Sequence, residues 1–382
     1  MTHILADLPI LDSHIHFGHP DFMPGLVKIL DTNRVGKFNI VCTPHRTRLS
    51  LVPDALLVKI IHPQRTYVFG GLDISSLFMR PDACGTLFAE NARTLSNMGC
   101  DGIKMIEGKP DMRKALPIPP FDSPVYEPYW QELEQSGMPL VWHVNDPEEF
   151  WDPQRVPDWA RAQGWFYGDG TFINNEAQYA EVLHVLERHP NLKVVFAHFF
   201  FLSAQLPRLG DLLERFPNIC VDLTPGIEMY HNFARDLQAT REFFLKYQER
   251  ILFGTDIGAK ALLSTPEMGI EPGESSLRIE LVRRFLETDG GFRLDSAGGF
   301  LFGKFEGAFQ GLELPEEALR KIYALNFERL AGSQPKVPDP QPIVAECERL
   351  EMMIPLMASM QPGTPSDGSI AKMVKEHFLT KV

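Results

Sequence analysis

Eight short apolar runs recur along the chain as far as residue 256, and stretches with helical periodicity separate most of them. The runs cover residues 10–18, 38–42, 67–73, 101–107, 139–146, 192–198, 219–223 and 251–256. They are too uniformly apolar to leave one sheet face in water, which is typical of parallel strands buried on both faces. Eight strands alternating with helices predict an α/β protein with a closed (β/α)8 TIM barrel. An open, doubly wound sheet is the alternative, but no G-x-G-x-x-G motif follows an early run.

Two segments fall outside this alternation of strands and helices. Residues 147–175, after the fifth run, form an insertion with seven aromatic side chains, Trp151 among them. Because long loops after barrel strands cover active sites, the insertion is predicted to form a lid, a small core of its own or a subunit contact. We place the barrel in residues 1–332, and a proline-rich linker with C-terminal helices in residues 333–382.

Composition and charge limit the kinds of molecule that the protein is expected to bind. Hydrophobic residues make up 44% of the chain and charged residues 23%, which allows a large packed core. The formal net charge of -13 argues against a nucleic-acid partner, which would favour a basic face. A small anionic substrate is compatible with this charge, because a pocket can be basic locally. We therefore expect a small-molecule substrate, and we leave open whether the chain forms a homo-oligomer.

The chain shows no pattern for export or membrane insertion. The N-terminus lacks a basic segment followed by an apolar core, and no apolar run reaches membrane-spanning length. The five cysteines are scattered and have no Cys-x-x-Cys spacing, as expected of reduced thiols. These observations predict a cytoplasmic protein that does not bind a membrane.

Histidines and a carboxylate stand near the ends of four of the runs. His14 and His16 are two residues apart, so in a strand they point to the same face. His143 and His198 lie near the ends of the fifth and sixth runs, and Asp256 ends the eighth. Because the active site of such a barrel lies at the C-terminal ends of its strands, these five side chains are predicted to converge. Imidazole is a ligand that suits zinc, copper, iron and nickel.

In strand order, this set resembles the amidohydrolase superfamily of metal-dependent barrel hydrolases, over about residues 10–330. The positions that carry the resemblance are His14-x-His16, His143, His198 and Gly254-Thr255-Asp256. Within that superfamily, the ends of the first, sixth and eighth runs look most like the second branch, which is called amidohydrolase-related. That branch also contains aminocarboxymuconate-semialdehyde decarboxylase and related aromatic-acid decarboxylases.

The resemblance implies a metal centre and a role for each side chain. His14, His16, His143 and Asp256 would bind one divalent ion, with zinc favoured and manganese, iron(II) or cobalt as alternatives. Three imidazoles and a carboxylate leave one position open for water, whose pKa zinc can lower to about 7. Asp256 would accept a proton from that water as a general base. His198 would orient the water or stabilise the developing oxyanion.

Three further side chains are predicted to bind the substrate. Arg46 and Lys104 follow or occupy the second and fourth strands, where their charges can face the barrel mouth and pair with an anionic group. In some relatives a carboxylated lysine after strand four bridges two metals, and Lys104 lies near the matching place. Glu107 is a further candidate on the same strand for a metal or substrate contact. Trp151 of the insertion is expected to contact a planar or apolar part of the substrate.

These observations predict a metal-dependent hydrolase that cleaves a C–N or ester bond of a small, anionic substrate. A metal-dependent decarboxylase or hydratase, a lyase, is the alternative, because both reactions need the same ligands. A barrel that binds without catalysis is the third interpretation, and the complete metal set argues against it.

Overall fold

Parallel strands form one sheet that curls into a barrel. The computed structural model describes residues 7–45, 48–258, 269–294, 307–360 and 368–379. Within these residues the sheet has nine strand segments in the order β8-β7-β6-β5-β4-β3-β2-β1-β9. The segments are β1 (Ile10–His16), β2 (Val35–Val41), β3 (Thr66–Gly71), β4 (Gly102–Gly108), β5 (Leu140–Val144), β6 (Val194–Phe196), β7 (Ile219–Asp222), β8 (Ile251–Leu252) and β9 (Ile257–Gly258). The short segments β8 and β9 together take the place of the eighth strand.

The barrel closes where this eighth strand meets β1. The amide of Ser13 donates to the carbonyl oxygen of Phe253, and the amide of Asp256 donates to that of His14, both at 2.9 Å. Beyond them, β9 pairs in parallel with the end of β1. The predicted (β/α)8 barrel is therefore confirmed.

Helices connect the strands and pack outside the barrel around a large apolar core. They are α1 (Met23–Thr32), α2 (Val52–Ile61), α3 (Ser75–Met79), α4 (Cys84–Asn97), α5 (Pro110–Ala115), α6 (Glu127–Ser136), α7 (Asp158–Ala162), α8 (Asn175–Arg188), α9 (Leu206–Arg215), α10 (Ile227–Arg235), α11 (Leu237–Lys246), α12 (Pro272–Glu287), α13 (Glu316–Arg320), α14 (Asn326–Ala331), α15 (Pro340–Met360) and α16 (Ser369–Leu379). A separate antiparallel pair joins β10 (Asp289–Phe292) to β11 (Phe309–Leu312). In the described ranges, no helix has both the length and the apolar character to cross a membrane.

The ends of these helices follow local sequence rules. The side chain of Asn174 accepts hydrogen bonds from the amides of Glu176 and Ala177, which have no partner within the helix at the start of α8. Helix α6 ends at Gly137, whose φ of +64° is the left-handed conformation that favours glycine. Such boundaries are readable from the chain alone.

The barrel interior below the strand ends is filled by apolar side chains. They are Leu11, Val41, Tyr67, Phe69, Val141, Val195, Ala197, Cys220, Leu252 and Phe327. Phe327 comes from α14, and its ring centroid lies 5.0 Å from that of Tyr67 and 5.8 Å from that of Phe69. The polar side chains at the strand ends therefore lie next to a packed layer of buried apolar side chains.

The aromatic residues of the insertion at 147–175 form a small core of their own. It contains Phe150, Val156, Ala160 and Tyr167, with Trp151, Trp159, Trp165, Phe166 and Phe172 packed around it. The Tyr167 hydroxyl donates to Asp146 Oδ2 at 2.6 Å, just after β5, and Lys109 Nζ pairs with the same carboxylate. The insertion is thus anchored directly beside the strand that carries His143.

The C-terminal helices pack on the outside of the barrel. Helix α16 lies against α15 and against α2. Lys375 of α16 forms an ion pair with Glu351 of α15 at 2.5 Å. Arg349 of α15 lies 3.0 Å from the carboxylate of Asp73, which follows β3. These contacts hold residues after the linker to the barrel body.

Candidate active site

The ends of β1 and the eighth strand bring two imidazoles and a carboxylate together. His14, His16 and Asp256 are buried, and one donor atom of each lies within 4.8 Å of the others. His16 Nε2 is 3.0 Å from Asp256 Oδ1, and His14 Nε2 is 4.0 Å from the same oxygen. β1 shifts register against β2 between Asp12 and Ile15, and such irregularities re-aim side chains near active sites. Three of the four predicted metal ligands therefore face one point.

A residue of α12 also contacts the Asp256 carboxylate, in addition to the two histidines. Arg278 of α12 lies with Nη1 3.4 Å from Asp256 Oδ2 and 3.2 Å from its carbonyl oxygen. Glu274 pairs with the same guanidinium at 2.8 Å. Asp256 itself has a φ of +55°, a conformation that costs a residue other than glycine roughly 1–2 kcal/mol. The carboxylate is thus oriented by a strained backbone and a buried arginine.

Another buried carboxyl lies beneath the cluster and ties β1 to the eighth strand. Asp12 Oδ2 accepts from the Thr255 hydroxyl at 2.5 Å, while Oδ1 accepts from the amides of Thr255 and His14 at 3.2 and 3.1 Å. Burial raises the pKa of Asp12 to about 7, and the hydrogen bonds from Thr255 act in the opposite direction. Its contacts are with backbone and Thr255, so we assign it to holding the two strand ends in place.

His143 lies at the end of β5 and contacts the other side of the site. Its Nε2 is 2.9 Å from the carbonyl oxygen of Asn145 and 3.5 Å from Asp146 Oδ1. Its ring centroid lies 4.9 Å from that of His198. Burial lowers the pKa of His143, and the Asp146 carboxylate opposes this shift. Among the described residues, His143 is outside the group of donor atoms formed by the other three predicted ligands.

His198 begins a left-handed turn that follows β6. Its φ is +55°, and the next three residues, all phenylalanines, have φ values of +56°, +57° and +53°. Each costs roughly 1–2 kcal/mol in this conformation. Phe199 and Phe200 are fully buried, and the Phe200 ring stacks on that of Phe196 with 3.8 Å between centroids. Burial of these rings offsets the strain, so the turn presents His198 to the site in a defined position.

The surroundings of the His198 ring favour its neutral form. Burial, and then the neighbouring His143 imidazole, lower the pKa of His198 well below its ordinary value. His198 Nδ1 lies 3.3 Å from the carbonyl oxygen of Thr224, which can only accept a hydrogen bond. The Nδ1 atom therefore carries the ring proton, and Nε2 is an acceptor.

The predicted substrate-binding residues lie in different places. Lys104 is buried, with Nζ 3.3 Å from His14 Nε2, so it belongs to the site. Trp151 lies in the core of the insertion, where its indole N–H donates to the carbonyl oxygen of Ile173 at 3.0 Å. Arg46 lies outside the described residues.

The sequence-based predictions missed several charged side chains at the site, among them Asp222 and Arg278, which contact His14 and Asp256. Asp222 is the last residue but one of the seventh apolar run, and the strand-end rule that identified Asp256 could have found it. Arg278 lies within α12, where periodicity gives no indication that it reaches Asp256. Asp222 Oδ2 lies 2.8 Å from His14 Nδ1.

Glu107 is not part of the cluster formed by the two histidines and Asp256. Its carboxyl is fully buried, and neither oxygen has a hydrogen-bond partner among the described residues. Burial raises the pKa of Glu107 to about 7, although Lys104 acts in the opposite direction. The fold is therefore more stable when this carboxyl is protonated than when it is charged.

Glu107→Gln should remove a pH-dependent loss of stability. The folded pKa of about 7 exceeds the ordinary value of 4.5, so the wild type loses stability as the pH rises through this window. Glutamine stays neutral, so the variant's free energy of unfolding relative to wild type should grow by about 2.5 kcal/mol between pH 5 and pH 8. Urea unfolding at both pH values measures this. Glu90→Gln, on the exposed face of α4, is the control, and a pH-independent difference for Glu107→Gln would contradict the expectation.

The donor atoms fit a divalent metal ion. Two imidazole nitrogens and a carboxylate oxygen are ligands that zinc and related ions accept. The carboxylate of Asp222 occupies His14 Nδ1, which leaves Nε2 directed at the cluster. Metal-binding histidines commonly have this second hydrogen bond. The fold and the site thus define a barrel protein with a candidate metal centre at the C-terminal ends of its strands.

A family model described as amidohydrolase matches residues 78–332. The match covers more than half of the chain, which therefore belongs to the amidohydrolase family. The suspected family relationship is confirmed. His14 and His16 lie before the matched segment, whereas His143, His198 and Asp256 lie within it.

Several solved structures are similar to this chain at low sequence identity. A protein from Staphylococcus aureus described as an amidohydrolase is 15% identical, with a TM-score of 0.52 over 85% of this chain and 100% of that one. A 5-carboxyvanillate decarboxylase from Novosphingobium aromaticivorans, complexed with manganese, is 11% identical, with a TM-score of 0.49 over 85% and 96%. IDCase from Metarhizium anisopliae is 14% identical, with a TM-score of 0.47 over 86% and 98%. No curated protein matches the chain.

Proposed function

We propose that this chain is a metal-dependent hydrolase that cleaves a C–N or ester bond of a small, anionic substrate. The observation that carries the proposal is the buried group of His14, His16 and Asp256 at the C-terminal ends of β1 and the eighth strand. Membership of the amidohydrolase family supports the same reaction class.

The chain's own residues would hold one ion, for which we propose zinc. His14 Nε2, His16 Nε2 and Asp256 Oδ1 are the donors that already face one another, and we propose His143 as the fourth ligand. When bound, a divalent ion supplies Lewis acidity and lowers the pKa of water. The apolar layer inside the barrel and the burial of the proposed ligands limit access of bulk solvent. Charge interactions within the site are stronger as a result.

Asp256 is the group that we propose as the general base. Its Oδ1 faces the two histidines, whereas its Oδ2 is directed at Arg278. The two oxygens thus have different partners, and the carboxylate cannot rotate freely. Placed in this way, Asp256 takes a proton from water as the water oxygen attacks the substrate carbonyl carbon. It returns that proton to the departing nitrogen or oxygen as the C–N or ester C–O bond breaks, which releases the acid together with an amine or alcohol.

His198 serves as a hydrogen-bond acceptor in this proposal. Its Nδ1 proton is directed at the Thr224 carbonyl, and the lowered pKa keeps the ring neutral. Nε2 is then a lone-pair donor that can orient water by accepting one of its protons. This favours the first of the two roles considered for His198, orientation of water, over stabilisation of an oxyanion.

The reaction products separate the hydrolase from the lyase alternative. Acyl substrates with C–N or ester bonds and phenolic acids should be screened together, with identification of every product by mass spectrometry. A hydrolase releases an acid together with an amine or alcohol, whereas a decarboxylase releases carbon dioxide from a phenolic acid. Release of carbon dioxide without any acyl hydrolysis would overturn the hydrolase assignment.

The substrate-binding residue that we propose for an anionic group is Lys104, which is buried in the site beside His14. Lys104→Met keeps the length of the side chain and removes its charge, so KM should rise about tenfold or more while kcat changes little. A neutral analogue of the same substrate should show no such rise. Steady-state kinetics would test this, with Lys246→Met on the exposed surface as the control. Equal KM values for the anionic substrate in Lys104→Met and wild type would contradict the role of Lys104.

A further inference from the structure

Asp222 contacts two parts of the site that come from different strands. The residue ends β7 and is fully buried. Its Oδ2 lies 2.8 Å from Nδ1 of His14, and its Oδ1 lies 2.8 Å from the amide nitrogen of His198. The Thr224 hydroxyl also donates to Oδ1. One carboxylate therefore joins a proposed metal ligand to the residue that we propose orients water.

The contacts around His14 assign its tautomer. A carboxylate accepts hydrogen bonds, so His14 Nδ1 must carry a proton to interact with Asp222. Lys104 Nζ, 3.3 Å from His14 Nε2, can only donate, so Nε2 must accept. Both neighbours require the same arrangement, with the proton on Nδ1 and a lone pair on Nε2. This is the tautomer in which Nε2 can bind a metal.

The contact with His198 holds the start of a strained turn. His198 and the three phenylalanines after it all have positive φ, and a turn of this kind persists only where its surroundings determine it. The buried phenylalanine rings secure the later part of the turn. At its first residue, the His198 amide donates to Asp222 Oδ1 and lies 3.1 Å from Thr224 Oγ1.

We propose that Asp222 is a positioning residue that sets both halves of the site with one carboxylate. Oδ2 selects the His14 tautomer that can bind metal, and Oδ1 fixes the turn that presents His198. The metal-binding part rests on the proposed function, whereas the tautomer of His14 does not and can be tested in the metal-free protein.

Asp222→Asn separates the two contacts. The His198 amide requires an acceptor, so the asparagine oxygen stays on that side and the NH2 group turns to His14. His14 Nδ1 must then accept, which moves its proton to Nε2. Long-range ¹H–¹⁵N spectra of the metal-free protein should show His14 protonated on Nδ1 in wild type and on Nε2 in the variant. The His14→Gln spectrum identifies the resonances.

The same variants test metal affinity. Zinc titrated against a chromogenic chelator should bind at least tenfold more weakly to Asp222→Asn than to wild type, the usual loss when the partner of a metal-binding histidine is removed. Thr224→Val is the matched control, because it removes the hydroxyl that contacts Asp222 Oδ1 and the His198 amide, and it keeps the contact between Asp222 Oδ2 and His14. Its zinc affinity and His14 tautomer should equal those of wild type. Asp222→Ala should weaken zinc binding and also shift the His198 ring resonances, which Asp222→Asn should leave in place.

The outcomes keep this inference separate from the proposed function. A wild-type protein with His14 protonated on Nε2 would overturn the role of Asp222 without any variant being needed. An Asp222→Asn protein with wild-type tautomer and zinc affinity would do the same. If wild type binds no zinc, the proposed function fails, and the His14 tautomer in wild type and Asp222→Asn still decides the role of Asp222.

Discussion

Asp256→Asn should lose turnover by about a hundred-fold or more while retaining most of its metal. Asparagine keeps the shape of the side chain and one oxygen that can face His14 and His16. It cannot take a proton from water, which is the step that we assign to this carboxylate. Turnover of an identified substrate and metal content by elemental analysis, both on the same preparation, measure the two effects separately.

Two further variants test whether the loss of turnover is specific to the active site. His198→Asn should also reduce turnover and leave the metal content nearly intact, because its ring is not among the proposed ligands. Asp211→Asn, on the exposed face of α9, is the control for loss of a carboxylate and should retain wild-type turnover. If Asp256 only capped a helix or paired with a surface charge, its variant would lose about 1 kcal/mol of stability and keep its activity. An Asp256→Asn protein that folds, binds metal and turns over normally would defeat the mechanism.

His14→Ala and His16→Ala should each strip the metal from the protein. The two residues supply two of the three donor atoms that face one another, and neither position has a substitute ligand within the cluster. Wild type should contain about one metal ion per chain, whereas each variant should contain very little after purification and dialysis. Elemental analysis measures the metal content of each protein. An activity assay with and without added zinc then tests whether zinc restores turnover.

The matched control for the histidine variants is His184→Ala. His184 lies on α8 with its side chain 57% exposed and pairs with Asp122, so its loss should not alter metal content. No metal in wild type, even after loading, would refute the proposed metal centre. Two ions per chain would instead indicate that Lys104 is carboxylated and bridges them.

The sequence alone determined the barrel and three residues of its candidate metal centre. Apolar runs of strand length are buried on both faces, and the ends of parallel strands meet on one side of a barrel. These two rules suffice to predict that His14, His16 and Asp256 converge, because each follows directly from its position in a run. They also identify His143 and His198 as neighbours of that cluster, although not the direction in which each ring points.

Only the tertiary structure decided which groups surround those residues. Asp222 reaches His14 across 208 positions of sequence, and Arg278 reaches Asp256 from within a helix, so neither contact has a local signal. The left-handed turn at His198 breaks the conformational preference of its own residues, and buried rings from other elements stabilise it. Glu107, read from the strand as a candidate ligand, is buried apart from the cluster, because the register shift in β4 and the packing around it set the direction of its side chain. Local periodicity specifies strands and their ends, whereas tautomers, strained turns and ion pairs depend on contacts between distant segments.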